Sequence, residues 1–185
     1  MSTPTAQPEP ATQPEPAAQR QPTLLSSCAL ATTAAEARYR ITAPAFTRRS
    51  SRVIALDGES RGIVRDMGDR SWGGGHFLVF ESAVPDDALL RHAGTGGTAL
   101  LSEELDGADT VVMVASAGAT AEAASVIGDA AAARGIMSAG LVLPVPPGSG
   151  GSVNELVSAL RPNAMVLVVL GDAADVPEVL SALRV

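Results

Sequence analysis

The sequence contains no lysine: all 13 basic residues among its 185 are arginine. That absence excludes a Schiff-base lysine, a pyridoxal-phosphate anchor and the lysine of a phosphate-binding P-loop. Cys28 is the single cysteine, which excludes an intramolecular disulfide and a multi-thiolate metal site. Aromatic residues make up 3% of the chain. The core therefore has to be built from Val, Leu, Ile and Ala, as in parallel sheets covered on both faces. No apolar run approaches the roughly 20 residues that span a bilayer, so no membrane association is expected. A basic start followed by an apolar segment is also missing from the N-terminus; no secretory signal is expected, and a cytoplasmic location is.

What is present fits one folded domain with tails. Hydrophobic residues account for 46% of the chain and the mean hydropathy is +0.21. A formal charge of -7 and a pI near 4.7 argue against nucleic-acid binding by the whole molecule. The charge is uneven, because Arg38, Arg40, Arg48, Arg49, Arg52, Arg61, Arg65 and Arg70 all precede Ser71 while acids dominate afterwards.

Three regions follow. Residues 1–22 are rich in Pro, Gln, Ala and Glu, repeat Gln-Pro-Glu-Pro, and are expected to be disordered for want of apolar surface to bury. Residues 23–51 read as a helix over Thr23–Ala37, with Cys28 on its apolar side, and an Arg-rich linker interrupted by Pro44. Residues 52–185 read as a Rossmann-like α/β domain. In it, strands are expected at Val53–Leu56, His76–Phe80, Thr110–Ala115, Met137–Leu143 and Ala164–Leu170. Helices are expected at Glu59–Met67, Thr98–Leu105, Thr120–Arg134 and Val153–Leu160, with Ala83–His92 as a turn and short helix and a closing helix near Pro177. Right-handed crossovers then give a three-layer sandwich around a mostly parallel sheet of about five strands.

The centre of this pattern is the run from Leu105 to Leu143, whose order of apolar stretch, short turn, alanine-rich stretch, Gly135 and second apolar stretch makes a βαβ unit. Its turn, Ser116-Ala117-Gly118-Ala119-Thr120, lies where open α/β sheets bind ligands. Asp57 and Gly58, after the first strand, face the same crevice. Caps and turns use such residues routinely, so structural and ligand-binding roles both stand at this point. The cluster Gly73-Gly74-Gly75-His76 reads either as a flexible strand entry or as an anion-binding nest with His76 as acid or base. His92 is expected in an exposed polar turn, and two isolated histidines predict no metal site.

The order of segments resembles the N-terminal GTPase domain of the tubulin/FtsZ family. The matching stretches are Arg52–Gly62, Gly75–Glu81, Gly107-Ala108-Asp109, Gly135 and Pro144, so the resemblance covers roughly Arg52 to Leu170. It implies a nucleotide at the strand ends, bound by a glycine-rich signature that falls on Ser116 to Glu122. Of that signature only Gly118 keeps a glycine, and Glu122 adds negative charge. Asp57-Gly58-Glu59-Ser60 likewise stands where the family has several glycines and an asparagine. Carboxylates facing a triphosphate repel it by an amount on the order of 1 kcal/mol each. The family's long central helix and second domain have no counterpart. The expected function is therefore a non-catalytic or regulatory binding module resembling a reduced tubulin/FtsZ core. The tentative ligand set is Asp57, Gly58, Ser116, Gly118, Thr120 and His76, with no catalytic residue assigned and the cofactor unknown. Two alternatives are kept: a small-molecule or nucleotide-cofactor enzyme using the crevice, and a partner-binding protein acting through the Arg-rich segment. A homo-oligomer or protein partner is compatible with the open sheet edges.

Overall fold

The computed structural model describes residues 49–70, 72–145, 148 and 151–185. The tail over 1–22, the helix with Cys28 and the linker up to residue 48 lie outside the described residues.

Seven strands form one sheet: β1 (Ser51–Ala55), β2 (Gly75–Val84), β3 (Asp87–His92), β4 (Thr98–Leu100), β5 (Thr110–Ala115), β6 (Met137–Val142) and β7 (Val166–Val169). Their spatial order is β4-β3-β2-β1-β5-β6-β7. Pairs β1–β2, β1–β5, β5–β6 and β6–β7 are parallel, whereas β2–β3 and β3–β4 are antiparallel. The fold is thus the expected α/β sandwich with a mostly parallel sheet, extended at one side by a hairpin and a short third strand.

Among the described residues the α-helices are α1 (Gly58–Gly68), α2 (Leu101–Leu105), α3 (Ala121–Ala133), α4 (Val153–Leu160) and α5 (Val176–Ala182). Strand residues alternate between two apolar clusters, as a sheet covered on both faces requires. Ile54, Leu78, Leu90, Val111 and Met113 meet Leu101 and Leu105 of α2, Ile127 of α3 and Leu156 and Leu160 of α4. Val53, Val79, Val112, Val114 and Leu141 meet Val64 and Met67 of α1 and Val176 and Leu180 of α5. Central strands β1 and β5 are buried at every position, which explains their unbroken apolar runs.

Helix starts follow the local chemistry. Asp57 caps α1, Thr120 caps α3 through Ala123 N–H, and Ser152 caps α4 in a reciprocal box with Glu155. Pro177 stands in the first turn of α5, where its missing N–H costs nothing.

Three expectations are corrected. Ala83–His92 is not a turn and helix; Pro85 and Asp86 (φ 63°) form a tight turn between β2 and β3. Leu89, Leu90 and His92 belong to an antiparallel strand whose partner cannot be seen in local periodicity. Within Thr98–Leu105, the first three residues pair with β3 and only Leu101–Leu105 are helical. Leu100 consequently points outward (37% exposed) while Leu101 and Leu105 are buried. Of the strand expected over Ala164–Leu170, only Val166–Val169 pair as β7, and they form an edge of the sheet rather than part of its centre.

Helix α3 sits close to the connection before β7. A Cβ added at Gly128 would lie 2.5 Å from Asn163 Cβ and 3.0 Å from that residue's backbone. Gly to Ala in a helix gains about 1 kcal/mol of intrinsic propensity, whereas overpacking a tight contact costs about 1–3 kcal/mol. Because the close neighbours include main chain, the second effect wins, and Gly128→Ala is expected to lower the urea midpoint without changing the slope of the transition.

Candidate functional site

β1 is followed by a connection to β2 on one side, while β5 adds to its other side, so the strand order reverses between the carboxyl ends of β1 and β5. At such a switch point the two loops diverge and leave a crevice. Asp57 follows β1 and Ser116 follows β5, and the two side chains meet there.

Asp57 is 8% exposed and turned inward. Its Oδ1 accepts hydrogen bonds from Glu59 N–H (2.9 Å), Ser60 N–H (2.9 Å) and Ser116 Oγ (2.5 Å). Oδ2 accepts from Ser116 N–H at 2.7 Å. Ser60 Oγ in turn donates to Asp57 C=O (3.1 Å) and lies 3.2 Å from Asp57 N–H, completing the capping box. Gly118 closes over this pair: a Cβ there would stand 3.3 Å from Asp57 Cβ. The free N–H groups at the start of α1 are the ones an anion would use at a helix N-terminus. Here the carboxylate of the chain itself uses them.

Of the six candidate residues, Asp57, Gly58, Ser116 and Gly118 are therefore gathered at the switch point, and Thr120 follows as the cap of α3. Beside them lies a cavity of about 230 Å³ walled by Ala117, Ala119, Ala121, Gly151, Leu156 and the capping pair Ser152 and Glu155. Its lining has no positive charge. It suits a small, largely apolar group better than a phosphate.

His76 stands elsewhere. In the β1–β2 register it is opposite Arg52, at the amino end of the parallel strands. Its Nδ1 lies 2.9 Å from Glu104 Oε2, and His92 Nε2 lies 3.3 Å from Glu104 Oε1. Arg52 Nε donates to Glu104 C=O at 2.6 Å and contacts Oε2 at 3.0 Å. Arg52 and Glu104 are almost fully buried, with side chains 7% and 10% exposed, while the two histidines reach solvent. His92 is thus not a residue of an exposed turn. The β2–β3 hairpin folds it back until its ring is 6.4 Å from that of His76. Local sequence does not reveal Glu104, Arg52 and His92 as a group; the Pro85-Asp86 turn is the available signal, since the hairpin places His92 opposite Leu78, two residues from His76 on the same strand. Among the described residues no group of His, Cys, Asp and Glu has the arrangement of a metal site. The neighbouring glycines serve packing, for a Cβ at Gly74 would lie 2.9 Å from Arg49 C=O.

A second cleft, of about 320 Å³, lies between the β2–β3 turn and α3 and carries Asp86, Asp87, Asp129 and Arg134. Partial burial raises the Asp87 pKa. Hydrogen bonds from Ser102 Oγ, Ala88 N–H and Ser102 N–H, together with the Arg134 charge, outweigh it and hold the carboxyl below its ordinary value of 3.8.

No protein-family model matches the chain, and no curated protein matches it.

Three outcomes follow from this geometry. Asp57→Ala removes a cap and leaves buried N–H donors unpaired, so it is expected to cost about 2–4 kcal/mol in chemical denaturation. Glu104→Leu strands the buried Arg52 and is expected to cost about 3–5 kcal/mol, most of it recovered in the Arg52→Met, Glu104→Leu double variant. Since the folded pKa of Asp87 lies below the unfolded one, its contribution is fully present above 3.8 and is lost as pH falls through the folded value. Ser102→Ala is accordingly expected to flatten the acid limb of the stability–pH curve.

Proposed function

We propose that this chain is a binding or regulatory module on a reduced, tubulin/FtsZ-like core, without nucleotide hydrolysis of its own. One observation carries the reading: the anion position at the switch point is filled by Asp57, whose two oxygens take four donors. A triphosphate arriving there would have to displace a buried carboxylate from N–H groups already satisfied, and would meet its negative charge. The loop after β5 supports the same view, because it keeps a single glycine, Gly118, where a built Cβ would stand 3.3 Å from Asp57 Cβ.

The crevice-enzyme alternative needs an acid or base at the strand ends. Asp57 is engaged in capping and His76 is at the opposite end of the sheet, so the geometry favours binding without catalysis. The apolar cavity beside α4 is the natural place for a ligand of this module. A cytoplasmic setting belongs to the same proposal. Among the described residues, no helix is long and apolar enough to cross a membrane.

Purified protein is expected to show no steady GTP turnover and no thermal shift with GTP or GDP. A ligand present at 100 times its dissociation constant would add about 2.7 kcal/mol and be plainly visible. Sustained hydrolysis that disappears in a Ser116→Ala variant would overturn the proposal.

A further inference from the structure

We propose that the β7 edge of the sheet is a homodimerisation surface, on which β7 of a second copy adds antiparallel to β7 of the first. The inference stands independently of the function proposed above.

The two edges of the sheet differ. β4 exposes only three residues, Thr98–Leu100, a short edge of the kind that resists pairing. β7 lies within Ala164-Met165-Val166-Leu167-Val168-Val169-Leu170, which has no charge and no proline. Among the described residues it pairs with β6 alone, and its outer row of backbone groups has no strand partner there. Met165 is 76% exposed, Val166 40% and Val169 51%; they are three of the five large hydrophobics exposed among the described residues. At four residues β7 is one residue longer than β4, and among the described residues no charge, proline or bulge interrupts it.

The occupant that fits is a second copy. A two-fold axis normal to the sheet makes the strands antiparallel and keeps each face continuous, so paired residues must lie on the same face. With the axis at Leu167, Met165 falls opposite Val169 and Val166 opposite Val168, each pair occurring twice. The two most exposed side chains of the edge thereby cover each other. No like charges are opposed along the pairing. Five residues at about 3.3 Å each span only about 17 Å, so the interface belongs to the small class and the expected affinity is micromolar.

Sedimentation of the full chain from about 1 to about 100 µM is expected to show a monomer–dimer equilibrium with a two-fold rise in mass. Outward-pointing backbone amides within residues 166–169 should gain protection from hydrogen exchange as concentration rises, whereas Met165 and Leu170 N–H already donate to Ser138 and Val142 C=O and should not change. Val169→Lys, and separately Met165→Lys, should each weaken the dimer at least tenfold with an unchanged far-UV spectrum, since both positions are exposed. The proposal is overturned if the wild type stays monomeric throughout. Complete protection of the outward amides within 166–169 at the lowest concentration overturns it too, because another part of the same chain then covers the edge. A dimer that persists undiminished in both lysine variants contradicts it as well.

Discussion

The contact between Asp57 and Ser116 joins the two loops that an open α/β sheet leaves apart. β1 and β5 are adjacent and buried throughout, and their carboxyl ends would diverge into a crevice with unsatisfied N–H groups at the start of α1. One carboxylate answers both needs. It caps α1 through Glu59 and Ser60 and holds the β5 loop through Ser116. Charge-assisted bonds of this kind are roughly twice as strong as neutral ones, and they bridge residues far apart in sequence. The helix dipole adds to the same preference for a negative group at that place. What joins the two loops is also what anchors the first helix.

The opposite end of the sheet is also organised around a buried carboxylate, here balanced by side-chain cations. There a buried carboxylate, Glu104, is compensated by Arg52 and approached by His76 and His92. The Arg–Glu pair ties the first strand to the short helix that leads into β5, and the histidines bring in β2 and the hairpin. Burying both ions is costly unless each is paired and hydrogen-bonded, which Arg52 satisfies with Glu104 C=O and Ser50 Oγ as well as the carboxylate. Between these two polar clamps the chain needs only small aliphatic residues. That accounts for a core almost free of aromatics.

Much of the fold was legible because its signals are local. The runs Thr110–Ala115 and Met137–Val142, the alanine-rich helix between them and the caps Thr120 and Ser152 are dictated by neighbours within a few residues. The hairpin was not legible, since Leu90 and His92 read equally well as helix until β2 is known to lie beside them. The site shows the same division. Asp57, Ser116 and Gly118 could be placed together from topology, but whether Asp57 faces a ligand or its own helix depends on hydrogen bonds across 59 residues of sequence. His76 stands at the entry of β2, as one of its two readings has it, and the glycines before it allow close approach to Arg49; what local sequence does not show is that this entry lies at the end of the sheet away from Asp57.

The central claim is that Asp57 occupies the place of a bound anion. Chemical rescue measures it most directly. In Asp57→Gly the N–H groups of Glu59, Ser60 and Ser116 lose their acceptor, and acetate or phosphate can then take its place. The account predicts that either anion raises the melting temperature of Asp57→Gly well beyond its effect on the wild type at equal ionic strength. Equal shifts in the two proteins, or none in the variant, would contradict it.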